Sequence, residues 1–214
     1  MDATVVVDAV RTVGPRTVAI EFETPAEFGA QPGQFVKLAA TVDGEEYARF
    51  YTLSSPDVED TFEVTVEVDP EASGPFSEHL AALEPGDELD LSGPFGSNFY
   101  DGEARAVVLA GGPGVGPAVG IAERALGAGN DAAVVYLDDG HAHVERLESL
   151  AALGATVELD DADADLTSHA RRALTDDPDE QVFVYGFASF VDRAREAIAA
   201  AGGDPDAAKV ENFG

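Results

Sequence analysis

Apolar and polar residues alternate in short runs along the first ninety or so residues, with turn residues between the runs. Every second position is apolar in 18–22 and in 62–68, which is typical of strands with one buried face. The pattern predicts strands at 4–10, 17–23, 34–40, 46–53, 62–68 and 87–92 and a short helix at about 76–83. Gly14-Pro15, Pro32-Gly33, Asp43-Gly44 and Pro85-Gly86 mark turns between them. A series of short strands of this kind predicts a small barrel or sandwich.

Beyond about residue 96 the pattern changes to apolar runs that alternate with helical periodicity. The apolar runs lie at 106–110, 132–137, 156–159, 182–185 and 209–212, and the helical patterns at 115–126, 144–153, 166–174 and 190–201. Strict alternation of strand and helix predicts a parallel sheet covered by helices. We therefore predict two domains, residues 1–100 and 101–214, with the boundary in 96–103.

The charge of the chain narrows the classes of partner. The 214 residues include 42 Asp or Glu and 12 Lys or Arg, which gives a formal net charge of -30. Nucleic acids and anionic membranes need a basic face, so both are excluded as partners. The acidic residues are spread along the whole chain rather than gathered in a tail. This favours a salt-adapted organism, because molar salt shortens the Debye length to about 3 Å and screens the repulsion.

The residue types that are absent also limit the function. Without cysteine the chain has no disulfide, no thiol nucleophile and no cysteine-held iron–sulfur cluster or zinc site. The N-terminus lacks the basic and apolar pattern of a signal peptide, and no apolar run approaches the ~18 residues of a membrane span. We expect a soluble, cytoplasmic protein, and a monomer.

Arg49 is the first candidate for binding chemistry. It is the only Lys or Arg between Leu38 and Ala104, and it lies in Arg49-Phe50-Tyr51-Thr52 near the end of a predicted strand. Alternate strand residues share a face, so Arg49 and Tyr51 should point the same way. A guanidinium, an aromatic ring and the Thr52 hydroxyl together fit a planar anion of the nucleotide type.

Two glycine-containing segments add to this set. Gly74 to Ser77 opens the short predicted helix, which is either an ordinary helix start or the second side of a diphosphate site. Residues 111–117 form a glycine-rich turn after the first strand of the second half, where parallel sheets bind ligands. The turn is not the dinucleotide fingerprint. Gly186 follows a second strand of that sheet and is either a packing glycine or part of the same site.

The histidines and acidic runs give weaker signals. His141 and His143 could share a metal, but no thiol or further histidine lies nearby in sequence, so we interpret them as a solvated pair and predict no metal site. His79 and His169 are interpreted as helix-surface residues. We interpret the runs at 160–161 and 176–177 as solvated acids.

Taken together, these motifs resemble those of the ferredoxin–NADP reductase family over almost the whole chain. The matching segments are 32–36, 49–52 with 53–56, 74–77, 93–96, 111–117 and 210–214. The resemblance implies an antiparallel flavin-binding β-barrel followed by a nicotinamide-nucleotide-binding α/β domain. It implies FAD as the cofactor, a nicotinamide nucleotide, and a redox partner protein or small-molecule electron acceptor.

The resemblance also implies roles for single residues. Arg49 would hold the flavin diphosphate, Tyr51 would stack on the isoalloxazine ring, and Thr52 would bond near its reactive nitrogen, so Tyr51 and Thr52 are the candidate catalytic residues. Phe213 would lie near the other face of the ring. The remaining implied binding residues are Phe50, Val66, Val68, Gly74 and Ser77 for the flavin, and Gly111, Gly112, Gly114, Pro117 and Gly186 for the nucleotide.

Two positions depart from the family pattern. Pro113 stands where the family usually has threonine, and Tyr185 stands where it often has cysteine near the point of hydride transfer. Three functions therefore remain open. They are a flavoenzyme that uses a nicotinamide nucleotide, an electron-transfer or regulatory flavin subunit whose nucleotide pocket no longer works, and a structural flavin-binding subunit.

The choice of nucleotide depends on the end of the second strand of the parallel sheet. Asp138 and Asp139 follow residues 132–137, where dinucleotide-binding sheets contact the adenosine ribose. Carboxylates accept hydrogen bonds from ribose hydroxyls and repel a 2′-phosphate, so the sequence predicts NAD(H) over NADP(H). Alternatively, both are solvated loop acids. Arg171, Arg172 and Arg193 are the phosphate contacts to expect if NADPH is preferred.

Overall fold

The first half of the chain forms a six-stranded antiparallel sheet that closes on itself. The computed structural model describes residues 1–68, 74–175 and 177–214. The strands are β1 (Asp2–Gly14), β2 (Thr17–Glu23), β3 (Phe35–Val42), β4 (Glu45–Thr52), β5 (Thr61–Glu67) and β6 (Glu88–Phe95), and helix α1 (Pro75–Ala81) precedes β6. They are arranged in the order β4-β3-β6-β1-β2-β5. A bridge between Leu53 and Val64 brings the two end strands together, so the sheet has the form of a barrel.

Side chains that alternate along these strands build the barrel core. Ile20 and Phe22 of β2 pair with Val64 and Phe62 of β5, and all four are completely buried. The rings of Phe22 and Phe62 stack with their centroids 5.3 Å apart. The predicted alternation is therefore confirmed. The sequence pattern places the ends less well, since β1 continues to Gly14 and β6 to Phe95.

The second half of the chain forms a five-stranded parallel sheet covered by helices. Its elements are β7 (Arg105–Gly111), α2 (Val115–Gly127), β8 (Asp131–Leu137), α3 (Val144–Ala152), β9 (Thr156–Asp160), α4 (Leu166–Ala173), β10 (Glu180–Gly186), α5 (Ala188–Ala201) and β11 (Lys209–Asn212). The strand order is β11-β10-β7-β8-β9, and a 3-10 turn at Gly112–Gly114 joins β7 to α2. The predicted fold class, an antiparallel barrel followed by a parallel α/β sheet, is confirmed.

Both faces of the parallel sheet are buried. Val108 and Tyr136 pack on the side of α2 and α3, whereas Leu109 and Val135 pack on the side of α4 and α5. This two-sided burial explains why these strands read as continuous apolar runs rather than as alternating ones. The change from antiparallel to parallel strands falls between residues 95 and 105. The predicted domain division after residue 100 lies in this gap and stays a prediction. No helix within the described ranges is long and apolar enough to cross a membrane.

Helix α2 presses directly on the barrel at two glycines. A Cβ atom at Gly116 would lie 2.7 Å from Oγ1 of Thr65, and one at Gly120 would lie 2.9 Å from the carbonyl oxygen of Ser54. Backbone that close leaves no room for a side chain, so the glycines set the distance between the two halves.

A cluster of charged groups spans the same junction, and we call it the Arg146 cluster (Arg11, Ser54, Glu63, Glu123 and Arg146). Arg146 donates to Glu63 at 2.8 Å, to Glu123 at 2.7 Å and to the Ser54 carbonyl at 2.7 Å. Glu63 is itself buried and also accepts from the Ser54 hydroxyl and from Arg11. Burial opposes the charge of Arg146, but Glu123 and Glu63 together outweigh it and raise the pKa of Arg146. The junction therefore depends on a balanced set of charges.

We expect Arg146→Met to lower the free energy of unfolding by about 3 kcal/mol. Removing one partner of a buried ion pair leaves the other charge unpaired, and Arg11 can compensate Glu63 only in part. Guanidinium denaturation measures the loss. The control is Arg172→Met, which breaks a surface pair with Glu158 and should cost much less. Equal losses in the two variants would contradict the role of the Arg146 cluster.

Candidate functional site

A cavity of about 620 Å³ lies where the barrel, the beginning of α1 and the C-terminal strand meet. Nine of the fifteen predicted site residues line it: Arg49, Phe50, Tyr51, Thr52, Val66, Gly74, Ser77, Pro117 and Phe213. The other six are not among the lining residues: Val68, Gly111, Gly112, Gly114, Asp138 and Gly186. The sequence therefore predicts the cavity residues on the barrel side better than those on the side of the parallel sheet.

Strand β4 supplies three side chains to the cavity from one face. Tyr47, Arg49 and Tyr51 are two residues apart, so the pleat directs them to the same side. Arg49 is exposed and donates to the carbonyl of its neighbour Ala48 at 2.8 Å. Among the described residues it forms no ion pair with a carboxylate, so its guanidinium is available to an anion.

Tyr51 connects β4 to α1 across the cavity. Burial raises the pKa of Tyr51 to about 12, and a hydrogen bond with Ser77 acts in the opposite direction without cancelling it. The phenol is therefore neutral at physiological pH. Phe76 of α1 is buried and lies 6.2 Å from the ring of Tyr47 and 6.4 Å from that of Tyr51. This aromatic contact seats α1 so that Gly74 and Ser77 face Arg49 across the cavity.

Thr52 and Glu211 form a polar contact between residues far apart in the sequence. The Thr52 hydroxyl donates to Oε1 of Glu211 at 2.9 Å. Glu211 lies on β11, which pairs in parallel with β10 and so brings the end of the chain to the barrel. Burial raises the pKa of Glu211 to about 7, and the bond from Thr52 only partly offsets this. The cavity thus contains a carboxyl that can gain or lose a proton near neutral pH.

The aromatic rings of Phe187 and Phe213 form the wall nearest the parallel sheet. They meet edge to face with centroids 6.1 Å apart, and Phe213 is held by its amide, which donates to the Gly186 carbonyl at 3.0 Å. Gly186 contributes to the site through this backbone contact. A Cβ atom there would also lie 2.8 Å from the ring of Phe190, so close packing accounts for the glycine.

The glycines of the 111–117 turn are also explained largely by close packing. A Cβ atom at Gly111 would lie 2.5 Å from the ring of Phe190, and one at Gly114 would lie 2.2 Å from the Tyr185 carbonyl oxygen. At Gly112, whose φ of +55° is left-handed, a Cβ would have one neighbour within 4 Å among the described residues, a carboxylate oxygen of Glu67 at 3.7 Å. Gly112 therefore keeps open space beside an acidic group.

The two departures from the family pattern have different surroundings. Pro113 lines the cavity together with Pro117. Tyr185 is completely buried, and its hydroxyl donates to the Asn98 carbonyl at 2.9 Å. Tyr185 thus ties the parallel sheet to the segment after the barrel, and it is not among the residues that line the cavity.

Asp138 is more ordered than a solvated loop acid. Its carboxylate accepts from the buried Tyr136 hydroxyl at 3.1 Å and from the amide of Asp139 at 3.0 Å. Burial raises the pKa of Tyr136, and the charges of Asp138 and Glu67 raise it further. Asp138 therefore lies at the carboxyl end of β8, and these hydrogen bonds fix its side chain. The negative charge of Glu67 also acts on this region.

The arginines considered as phosphate contacts already have partners. Arg171 donates to the Ala200 carbonyl and Arg172 to Glu158. Arg193 donates to the carbonyls of Ala162 and Ala164. Of the three, only Arg172 has a carboxylate partner, whereas Arg171 and Arg193 bind backbone carbonyls, as Arg49 does.

Two predictions about histidines are wrong. His143 is buried rather than solvated, and its Nε2 lies 2.8 Å from the Thr65 hydroxyl. Burial, followed by the charges of Arg146 and Arg11, lowers the pKa of His143 to about 3. His169 is buried too, between Glu158 and Asp160, rather than on a helix surface. Their partners come from other strands, which local sequence does not reveal.

No group of histidines and carboxylates within residues 1–68, 74–175 and 177–214 is placed to hold a metal ion. His141 lies near Asp160, where its Nε2 is 2.9 Å from the backbone carbonyl. Asp176, which belongs to one of the predicted acidic runs, lies outside the described residues.

Sequence reasoning missed several residues that line the cavity: Phe35, Tyr47, Thr65, Glu67, Phe187 and Glu211. Tyr47 could have been found, because it continues the two-residue spacing of Arg49 and Tyr51. Glu211 gave no local signal, since its partner Thr52 is 159 positions away.

Comparison with known sequences finds matches to the first half of the chain. Residues 4–100 match the family model described as the oxidoreductase FAD-binding domain. One curated relative is a probable dihydroorotate dehydrogenase B (NAD(+)) electron transfer subunit of Methanopyrus kandleri, 38% identical over 51% of this chain and 38% of its own length. Another is a glycine betaine monooxygenase reductase subunit of Chromohalobacter salexigens, 41% identical over 48% of this chain and 28% of its own length. The match thus spans only about a third of each relative.

Comparison with solved structures extends the likeness to the whole chain. The cytochrome b5 reductase domain of Ulva prolifera nitrate reductase superposes with a TM-score of 0.83 at 19% identity, covering 99% of this chain and 97% of that one. A ferredoxin NADP+ reductase of Neisseria gonorrhoeae, with bound FAD and NADP, gives 0.80 at 16% identity over 100% and 99%. At these identities the likeness establishes the shared two-part fold.

The elevated pKa of Glu211 predicts a pH-dependent stability. The folded pKa is about 7 and the ordinary value is 4.5, so between these pH values the folded protein retains a proton that the unfolded chain releases. As pH rises from about 4.5 through 7, the free energy of unfolding of the wild type should therefore fall relative to that of Glu211→Gln, by at most about 3 kcal/mol. Denaturant unfolding of the flavin-free proteins at pH 5 and pH 8 measures this difference.

Thr52→Val provides the matched variant. It keeps the carboxyl but removes a hydrogen bond that favours the charged form, so the pH window should move upward. A stability difference between wild type and Glu211→Gln that is the same at both pH values would disprove the assignment.

Proposed function

We propose that the protein is an FAD-dependent oxidoreductase that passes electrons between a nicotinamide nucleotide and a redox partner, since residues 4–100 match the family model described as the oxidoreductase FAD-binding domain. The observation that carries the proposal is the cavity in which Arg49, Tyr51 and Thr52 of one strand face the beginning of α1 and the C-terminal Phe213. A cation, an aromatic ring and a hydroxyl in this arrangement fit a diphosphate that is joined to a planar ring.

The diphosphate side of the site fits FAD by charge. Arg49 would hold the diphosphate, since its guanidinium has a single hydrogen bond to its own backbone and no carboxylate partner among the described residues. Gly74 and Ser77 would contact the same group from the beginning of α1. Val66 and Phe50 would form apolar wall beside it. In a chain of net charge -30, an uncompensated guanidinium in a cavity supports an anionic ligand.

The ring side of the site fits a flavin by shape and by proton chemistry. The chemistry that FAD supplies when bound is acceptance of a hydride and release of electrons singly. Tyr51 would lie on the isoalloxazine ring as a neutral phenol, and Phe213 with Phe187 would exclude water from the other side. Thr52 orients the carboxyl of Glu211, which holds a proton near neutral pH and lies within the same cavity.

The part of the proposal that concerns the nucleotide depends on the 111–117 turn, which lies at the carboxyl end of β7. Pro113 and Pro117 line the cavity, so a ligand that enters from the turn would reach the flavin pocket. Asp138 is fixed at the end of β8, and α2 begins directly after the turn. This arrangement supports a nicotinamide nucleotide that spans from Asp138 to the cavity.

A second function is favoured by specific observations. Pro113 supplies neither hydroxyl nor amide hydrogen at the turn where a pyrophosphate would bind. The printed name of the Methanopyrus kandleri relative is that of an electron transfer subunit. We therefore keep, as the alternative, a flavin-binding electron-transfer subunit that does not react with nicotinamide nucleotides itself.

Either function needs an electron acceptor outside this chain. Since the chain has no cysteine, it cannot carry a cysteine-held iron–sulfur cluster of its own. Single electrons would leave to another protein or to a small molecule. Adaptation to concentrated salt and a monomeric state stay predictions.

We expect Arg49→Ala to lose most of its FAD during purification. A charge-assisted hydrogen bond to the diphosphate is worth about 1.5–3 kcal/mol, which is roughly a 10- to 150-fold increase in the dissociation constant. The ratio of visible flavin absorbance to protein measures the occupancy, and titration of the flavin-free protein with FAD measures the affinity.

Arg124→Ala is the matched control, because Arg124 is an exposed arginine of α2 that does not line the cavity. It should retain the wild-type flavin content. Full occupancy in Arg49→Ala would remove Arg49 from the site, and a colourless wild-type protein would overturn the proposed cofactor.

We expect NADH to reduce the bound flavin faster than NADPH does. Asp138 can accept hydrogen bonds from ribose hydroxyls and would repel a 2′-phosphate, and Arg172 is already paired with Glu158. Bleaching of the flavin band without oxygen, at matched salt, measures both rates. Replacing the pair by Asp138→Ser with Asp139→Arg should shift the preference toward NADPH, whereas Glu148→Gln on α3 should not.

The outcomes separate the two functions. A clear advantage of NADPH in the wild type would contradict the role of Asp138. A yellow protein that neither nucleotide bleaches, but that dithionite does, would favour the electron-transfer subunit.

A further inference from the structure

Tyr185 and Glu211 are direct neighbours on two parallel strands beside the cavity. The register of β10 and β11 pairs Tyr185 with Glu211, and two residues earlier it pairs Phe183 with Lys209. Paired residues of a sheet, and residues two apart along a strand, direct their side chains to the same face. All four side chains therefore point toward the segment that joins the barrel to the parallel sheet, and two of them bond to it.

The hydroxyl of Tyr185 is held by that segment rather than by Glu211. It donates its single proton to the Asn98 carbonyl at 2.9 Å. A Cβ atom at Gly33, whose φ of +97° is left-handed, would clash with the same hydroxyl. Backbone therefore fills the space around the hydroxyl and keeps the phenol from turning toward the carboxyl.

With its hydroxyl fixed, Tyr185 presents its ring to Glu211. Tyr185 is completely buried. Burial raises the pKa of Tyr185 well above its ordinary value, and the charges of Glu211 and then of Glu103 raise it further. The phenol thus stays neutral and offers the carboxyl an apolar neighbour in place of water, which disfavours the charged form of a carboxyl.

The charged groups around Glu211 do little to offset this. Lys209 precedes Glu211 by two residues on β11, but its ammonium lies 2.5 Å from a carboxylate oxygen of Glu103. Arg49 and Glu67, which also line the cavity, carry opposite charges. No cation among the described residues therefore forms an ion pair with Glu211.

Burial is the main influence on the proton of Glu211. Among the described residues, its carboxyl accepts one hydrogen bond, from Thr52 at 2.9 Å. Burial outweighs this bond and raises the pKa of Glu211 to about 7. The residue that controls access of water to the carboxyl therefore controls its protonation, and Tyr185 is its completely buried neighbour in the sheet.

We propose that Tyr185 is a positioning residue for the Glu211 carboxyl. Its ring excludes water from one side of the carboxyl, and its hydroxyl, committed to Asn98, leaves the carboxyl to Thr52 and the cavity. This packing is a property of the chain itself. Its use in a reaction rests on the proposed function, in which a protonated Glu211 would lie beside the flavin.

The test measures the pKa of Glu211 in the full chain, with bound flavin and again after the flavin is removed. Glutamate side-chain carboxyls are labelled with carbon-13, and the Glu211 resonance is identified by its loss in Glu211→Gln. Its chemical shift is followed in molar salt from about pH 4 to about pH 9. The wild-type midpoint should lie at about 7.

Tyr185→Ala should lower the pKa of Glu211 by at least about one pH unit, a tenfold change in its acid dissociation constant, because water can then solvate the carboxylate. Tyr185→Gln keeps more of the volume and should lower the pKa as well, since its amide can donate to the carboxylate. It decides the question if Tyr185→Ala does not fold. Tyr185→Phe keeps the ring and should stay within about half a pH unit of the wild type.

Phe183→Ala is the matched control. Phe183 is completely buried on the same strand and face, but it is paired with Lys209, whose ammonium lies 5.2 Å from the ring centroid. This variant should lower the free energy of unfolding much as Tyr185→Ala does, yet leave the pKa of Glu211 near the wild-type value.

Three results would overturn the proposal. They are an unchanged pKa of Glu211 in Tyr185→Ala and Tyr185→Gln, an equal decrease in Phe183→Ala, and a decrease in Tyr185→Phe as large as that in Tyr185→Ala. A protein that binds no FAD would instead overturn the proposed function. The pKa of Glu211 in the flavin-free chain would still decide the role of Tyr185.

Discussion

The distance between the barrel and the parallel sheet is the constraint on which the site depends. The cavity takes its walls from both halves, so it exists only while α2 remains against β5. Gly116 and Gly120 permit that contact because their backbone lies within van der Waals distance of Thr65 and Ser54. The Arg146 cluster then holds the contact with charge. A shift of even one side chain's width would separate Thr52 from Glu211 and open the wall that Phe213 forms.

Some Lys and Arg side chains of the protein bind its own carboxylates or carbonyls, and others have no carboxylate partner. Within the described contacts, ion pairs with carboxylates are formed by Arg11, Arg105, Arg146, Arg172, Arg195 and Lys209. Arg171 and Arg193 bind backbone carbonyls. Arg49, Lys37 and Arg124 also have no carboxylate partner among the described contacts, and the first two of these belong to the β3–β4 pair. The same hairpin therefore presents a free positive charge to the cavity from one face and to the solvent from the other.

The sequence predicted the parts of the structure that depend on local patterns. Period-two alternation gave the barrel strands, and it also placed Arg49 and Tyr51 on one face, because a strand's geometry fixes which side chains point together. Contacts between distant segments could not be predicted. Glu211 acquires its raised pKa from burial at β11, and His143 acquires its lowered pKa from burial against Thr65. Histidine spacing suggested solvated residues, because nothing local indicates a partner 78 residues away.

The glycine turn shows why the two halves of the site support the proposed function unequally. On the barrel side, Arg49 lacks a carboxylate partner among the described residues, so packing does not explain its place. On the nucleotide side, Gly111 and Gly114 are required by Phe190 and by the Tyr185 carbonyl, whether or not a nucleotide binds. The glycine pattern alone therefore cannot separate a working nucleotide site from one that retains only its fold. The groups that can make that distinction are the ones that packing does not explain, such as the Asp138 carboxylate at the end of β8.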